Sequence, residues 1–297
     1  MKALFCRASN SLVFWLLLDL TYLVVFLLLS GQALLPLRSF FVAHAAGIAV
    51  GTTVMFTGVG AGVVWFPFFT LVGFHPAEAA SFSLFNQMAG KGSGSLKYLR
   101  EKMVDMPVAL SCIPWAVLGV SAGYLAGFVA PRRYDRWLLL LFAAVVLYLL
   151  VAMLAGRKGV FSPDAEASAS RPNRLLVTGS SFFTGILSVG TSDWLIPHMV
   201  RRLRMPVSQA VATGIFVMFS TAVIFWLLIV VSVMSGWRDW PQNPPILLGT
   251  VPGVILGGQI GSRLIRFPRL KYCQSAVFVG ILVLSAGHMI WEFFHRG

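Results

Sequence analysis

Long uninterrupted apolar runs constrain this chain more than any other feature. Leu12 to Leu35, Trp137 to Ala155, Val207 to Val233 and Tyr272 to Phe294 each come close to or exceed the ~20 residues a helix needs to cross a bilayer. Of the 297 residues only 11% are charged, against roughly a quarter in soluble domains, and no soluble domain of any size remains. The chain therefore reads as an all-α integral membrane protein, because a helix pairs its own backbone groups where no water is available. The first run is too long for a signal peptide, contains Asp19 and lacks a small-x-small cleavage site before Arg38, so residues 1–39 read as a retained helix. A formal charge of +13 would suggest nucleic acid in a soluble protein. Here the basic residues lie in short loops between apolar runs, where they set topology instead. Cys6, Cys112 and Cys273 are scattered, so neither a zinc site nor a disulfide framework is expected, and they read as packing residues.

One stretch breaks the pattern. Phe56 to Ser83, FTGVGAGVVWFPFFTLVGFHPAEAASFS, carries a glycine cluster and two prolines. Shifting the sequence by 130 places lays it without a gap over Ile186 to Thr213, ILSVGTSDWLIPHMVRRLRMPVSQAVAT. Gly60 then falls on Gly190, Pro67 on Pro197, Pro76 on Pro206 and Ser83 on Thr213. The same shift places Pro114 on Pro244 and Gly119, Gly123 and Gly127 on Gly249, Gly253 and Gly257. Two repeats follow, residues 40–155 and 174–297, joined by a polar linker at 156–173 whose Ser, Pro and charge content cannot bury a core.

Phe40 to Phe74 is too long for one spanning helix and too short for two. A helical hairpin that dips partway and returns fits: glycine permits the turn, and proline can start the returning helix where no donor is needed. With both hairpins dipping, the basic residues of 97–102, 157–174, 201–204 and 263–271 join Lys2 and Arg7 on the cytoplasmic side. A smaller set, including Arg132, Arg133 and Arg136, stays outside. A hairpin plus about three spanning helices makes each repeat odd in its crossings, so the two repeats are expected to be inverted, an architecture of secondary transporters.

The paired motifs GVGAGVVWFP with PAEAASFS, VGTSDWLIP with PVSQAVAT, and the later VPGVILGGQIGSRL resemble the sulfite exporter TauE/SafE family from about Phe41 to Ile290. The resemblance implies secondary transport of a small sulfur-containing anion such as sulfite, a sulfonate or sulfoacetate across the bacterial inner membrane. The second motif departs from a glycine-rich form, with Thr191, Ser192 and Asp193 in the places of Ala61, Gly62 and Val63.

An anion needs donors shielded from bulk water, and helix N-termini at the hairpin tips supply them. Gly60, Ala61 and Gly62 in the first tip and Gly190, Thr191 and Ser192 in the second are therefore candidate binding residues, the alternative being that they only cap helices. On the following helix Ser83, Gln87, Lys91 and Ser95 recur at i+4 spacing and make one polar face. Lys91 is the natural counter-charge, unless its stem snorkels toward the interface near Lys97. Asp193 is the candidate proton-coupling group, or a structural partner for Lys91. Asp19, His75, Glu78 and His198 read as interfacial, capping or packing residues first. The glycine series at 119–127 and 249–257 reads as a close helix-packing seam.

The sequence carries no His pair at metal spacing, no paired carboxylates and no nucleophile beside a base, so no enzyme, metal or cofactor is expected. The expected partners are a small anion, membrane lipid and a coupling proton, with no nucleic acid and with a homodimer left open. The rival readings are a carrier of another small organic anion, such as a carboxylate, and a non-transporting membrane subunit.

Overall fold

The computed structural model describes residues 11–29, 37–58, 60–129, 135–155, 172–237, 246–265 and 271–295. The polar linker up to Arg171, Cys6, Arg132, Arg133 and Pro244 lie outside them. Eleven α-helices and no strand make up the described residues: α1 Leu12–Leu29, α2 Leu37–Thr57, α3 Gly62–Leu71, α4 Pro76–Arg100, α5 Met106–Val129, α6 Asp135–Ala155, α7 Arg174–Leu187, α8 Thr191–Arg202, α9 Val207–Met234, α10 Leu247–Leu264 and α11 Lys271–His295. Among the described residues, Arg38–Thr57, Met106–Gly127 and Val207–Met234 are long and apolar enough to cross a membrane. The chain is a multi-pass membrane protein.

Both expected breaks are present. The chain turns at Gly58, whose φ is +76°, and at Ser188, Gly58's partner in the repeat, whose φ is +62°. Short helices of 10 and 12 residues follow, about 15 to 18 Å long at the usual rise. The helices before the breaks are unequal, since α2 has 21 residues and α7 has 14. Proline does not start the returning helices as expected: α3 begins at Gly62 and α8 at Thr191, so Pro67 and Pro197 lie inside them. The helix tolerates Pro67 because the carbonyl it orphans, Val63 O, accepts a hydrogen bond from Ser285 Oγ at 2.7 Å. Pro252 in α10 is handled in the same way, with Tyr22 Oη donating to Leu248 O at 2.6 Å. Among the described residues, the prolines that do begin helices include Pro76 and Pro107, in the first turns of α4 and α5, and Pro206, just before α9.

Small residues set the closest packing. Gly249, Gly253 and Gly257 on α10 press against the carbonyls of Phe40, His44 and Ile48 on α2, leaving no room for a Cβ. The residue numbers rise together, so α2 and α10 run in the same direction. In the other half Gly119 and Gly123 on α5 meet the carbonyls of Thr178 and Phe182 on α7 in the same manner. These contacts correct the register of the repeat. Thr178 corresponds to Ile48, so Gly119 is the equivalent of Gly257 and not of Gly249, and Gly123 is the equivalent of Gly261, which meets Thr52 O. Pro114 accordingly matches Pro252 and not Pro244. The uniform shift fails beyond α9 because the α9–α10 connection is longer than the Glu101–Asp105 connection after α4, and glycines spaced four apart slide onto one another by whole turns without losing their match.

α4 lies parallel to α10, with Asn86 bonded to Thr250 at 3.1 Å and Ser93 to Ile255 O at 2.9 Å. α5 and α9 are likewise parallel, joined by Asp105 N to Thr213 Oγ1 and by Tyr124 Oη to Ser232 Oγ. α4 and α9 cross in opposite senses, since Phe85 packs on Trp226 and Gly92 on Phe219. One apolar cluster gathers Tyr98, Val104, Val177, Met199, Met205 and Ile265, so the ends bearing Lys97, Arg100, Lys102, Arg174, Arg201 to Arg204 and Arg263 lie together. α1 is fastened to the outside of this bundle by Tyr22 and by Asp19, which accepts from or pairs with His44 Nε2 at 3.1 Å.

Candidate functional site

The two hairpin tips meet, and the residue that joins them is Asp193. Placed in the first turn of α8, its Oδ2 accepts the N–H of Gly190 at 3.1 Å and its Oδ1 accepts the N–H of Gly60, from the other tip, at 2.6 Å. Gly60 needs its missing side chain, for a Cβ there would overlap the carboxylate. Gly62 is held more tightly still, because its Cβ would fall on Ser188 O. A carboxylate at a helix N-terminus is favoured by the helix dipole as well as by these hydrogen bonds.

Beside the tips runs the polar face of α4. Gln87 Nε2 donates to Ser188 O at 2.9 Å and approaches Ser188 Oγ at 3.0 Å, and Ser83 Oγ hydrogen-bonds Ser188 Oγ. Lys91 Nζ donates to Gln87 Oε1 at 2.8 Å and reaches Ser192 Oγ at 3.5 Å. Its ammonium thus points a turn away from the Lys97 end, opposite to the direction of snorkelling. Ser83, Gln87, Lys91, Ser188 and Ser192 are at most 1% exposed and Asp193 is 4% exposed. Lys91 and Asp193 form no direct ion pair: neutral oxygens surround the ammonium and backbone N–H groups surround the carboxylate. A buried charge without its counter-charge is expensive, by several kcal/mol, and intramembrane examples mark functional pathways.

The structure brings together nearly all of the expected residues, with differences. Thr191 turns toward α7, where its hydroxyl bonds Thr184 at 2.8 Å and Ser181 at 3.1 Å. Ala61 is buried and contributes no polar group. Ser95 is buried beyond the network, its hydroxyl unpaired. The tip N–H groups of Gly60 and Gly190, expected to be open to an anion, are taken by Asp193. Ser188 is the residue that sequence reasoning missed. Its signal was its alignment with Gly58, a serine at a position that needs a left-handed backbone. His198 accepts from Asn173 N at 3.3 Å, at the cap of α7, and Glu78 lies in the first turn of α4. Among the described residues no group of three His, Cys, Asp or Glu could hold a metal ion. A separate, largely apolar cavity of about 380 Å³ lies between α2, α3 and α11, lined by residues such as Val54, Pro67, Phe68 and His288.

Membrane helices broken in pairs, with a lysine and a carboxylate buried where the breaks meet, define the class: a membrane transporter. The chain belongs to the sulfite exporter TauE/SafE family, whose profile matches residues 43–289. It is similar to the probable membrane transporter protein YjnA of Bacillus subtilis (strain 168), 24% identical over 255 residues covering 80% of this chain and 96% of that one. It is also similar to the probable membrane transporter protein YunE of the same organism, 23% identical over 279 residues, covering 86% and 98%. A shorter likeness, 24% over 212 residues, reaches the probable membrane transporter protein MamO of Magnetospirillum gryphiswaldense, covering 59% of this chain and 33% of that one. No solved structure matches.

Proposed function

We propose that the protein is a secondary transporter of the bacterial inner membrane that moves a small sulfur oxyanion or organosulfonate by alternating access, with Asp193 coupling the movement to protons. The carrying observation is the ammonium of Lys91, 1% exposed and with neutral hydrogen-bond partners. Such a group in the membrane interior is best stabilised by an anion, and Ser83, Gln87, Ser188 and Ser192 supply further donors around it. The family's name motivates the sulfur chemistry of the substrate. Two inverted repeats, residues 40–155 and 174–297, are part of this reading. The opposite courses of the equivalent helices α4 and α9 support it, as does the gathering of basic residues at one end.

Uptake of radiolabelled sulfite, sulfoacetate and taurine into proteoliposomes, beside a carboxylate, tests the function. Transport of a sulfur anion in preference to the carboxylate is expected, and silence across the panel would defeat the reading. Topology has its own check in a cysteine-free background. Single cysteines at Ala165 and Arg202 should both resist a membrane-impermeant thiol reagent added to intact cells, and labelling of either would break the hairpin arrangement.

A further inference from the structure

We propose that Asp193 is a resident stand-in for the substrate: its carboxylate fills an oxyanion seat made by the N–H groups of Gly60 and Gly190, which the transported anion takes over when Asp193 is protonated. The inference rests on the transport reading above and adds a seat and an order of events to it. The two donors come from different halves of the chain, 133 and 3 residues from Asp193, and each serves a separate carboxylate oxygen. That is how a pair of N–H groups would hold two oxygens of a sulfonate, whose spacing resembles that of a carboxylate. Glycine at position 60 keeps the seat open, since a Cβ would stand in the place of the oxygens. Lys91 supplies what a seat alone would lack, a buried cation next to Ser192 at 3.5 Å, available to a third oxygen.

Charge balance dictates the order. Lys91 and Asp193 together are neutral, and the groups that contact them carry no charge: the Gln87 amide and the Ser192 hydroxyl at the ammonium, and the N–H groups of Gly60 and Gly190 at the carboxylate. A monovalent anion added to this buried place would leave it net negative, which burial opposes. Protonation of Asp193 removes that charge. It also makes one carboxyl oxygen a donor and a weaker acceptor, so the neutral acid holds the two N–H groups less strongly than the carboxylate does. One proton taken from water is thus bound for each monovalent anion seated, and both leave together when the carboxylate returns. The cycle is electroneutral, and a folded empty site is closed by the protein's own anion.

The test uses methanesulfonate, whose charge is constant from pH 5 to 8, with the purified native protein, Asp193→Ala and Asp193→Asn. Binding is followed by the fluorescence of tryptophan, Trp194 being the neighbour of Asp193 in sequence. Native affinity should fall with rising pH, by up to about tenfold per unit, the limit for one linked proton. Asp193→Ala should bind at least as tightly as the native protein at its best pH, with affinity constant within about twofold across the range. Asp193→Asn, which keeps the volume and offers a single acceptor, should also be pH-independent and serves if the alanine variant does not fold. A folded variant that keeps the native pH slope, or loses binding altogether, overturns the stand-in role and leaves the transport reading in place. Absence of methanesulfonate binding in native protein and variants overturns the proposal as well. It removes the transport reading only if the uptake panel is also silent.

Discussion

The two hairpin tips are built on one frame and equipped differently. In the first, Gly60, Ala61 and Gly62 offer backbone alone; in the second, Thr191, Ser192 and Asp193 offer side chains, and Asp193 reaches across to the first. The helices that follow diverge in the same way. Lys91 on α4 corresponds to Thr221 on α9, whose hydroxyl merely bonds Val217 O, and Gln87 corresponds to Val217. The sequence repeat therefore does not extend to the polar residues: the first half presents Lys91, Gln87 and Ser83 beside bare backbone, while the second presents Asp193, Ser188 and Ser192. What recurs is the glycine seam that brings parallel helices together, and not the set of polar side chains.

Substitutions can break or sharpen that contrast. The largest effect is expected at the first tip. Gly62→Ala drives a Cβ into Ser188 O, a backbone clash that should destabilise by on the order of 3 kcal/mol or more. Ser192→Ala, the equivalent place in the second tip, loses only the 3.5 Å approach of Lys91 and should cost under about 1 kcal/mol. Thermal unfolding in detergent compares the two, and equal losses would dissolve the difference between the tips.

Next in size is Lys91→Met, which keeps the helix and removes the charge. Hydrogen bonds to charged groups contribute about 1.5 to 3 kcal/mol, so substrate affinity should drop roughly tenfold to a hundredfold. Thr221→Val should stay within about twofold of native in the same binding measurement. Native affinity in Lys91→Met would take the lysine out of the site. Lys91→Arg should retain partial activity, because its forked donors cannot reproduce the ammonium's geometry.

Smaller still is Ser188→Gly, which gives the second turn the residue of the first. The left-handed backbone at φ +62° should relax by about 1 kcal/mol, while the hydrogen bonds to Ser83 and Gln87 are lost. Stability should change by less than about 1 kcal/mol, while affinity falls by a few fold; the two readouts separate backbone from site. The smallest effect concerns the helix outside the repeat. Tyr22→Phe leaves Leu248 O without its donor before Pro252, and a melting shift equivalent to about 1 kcal/mol is expected with transport unchanged.

Much of this was legible in the sequence, for local reasons. Apolar runs, glycine clusters and prolines act through the backbone of the residues that bear them, so the breaks near Gly60 and Gly190 and the polar face of Ser83, Gln87 and Lys91 could be read from spacing alone. The family was legible too, because its likeness lies in those same local motifs. Other features depended on which group lies opposite which, and that is settled by packing between helices far apart in the chain. Asp193 could be placed in a tip but not given its partner at Gly60, 133 residues away. Ser188 looked like an ordinary serine until Gln87, 101 residues distant, was seen to hold it. The glycines of α10 could be slid by whole turns against those of α5, and only the carbonyls they touch on α2 and α7 chose the register. Sequence periodicity determines the face a residue occupies; the tertiary structure decides what that face meets, because hydrogen bonds and close contacts depend on distances that no local pattern records.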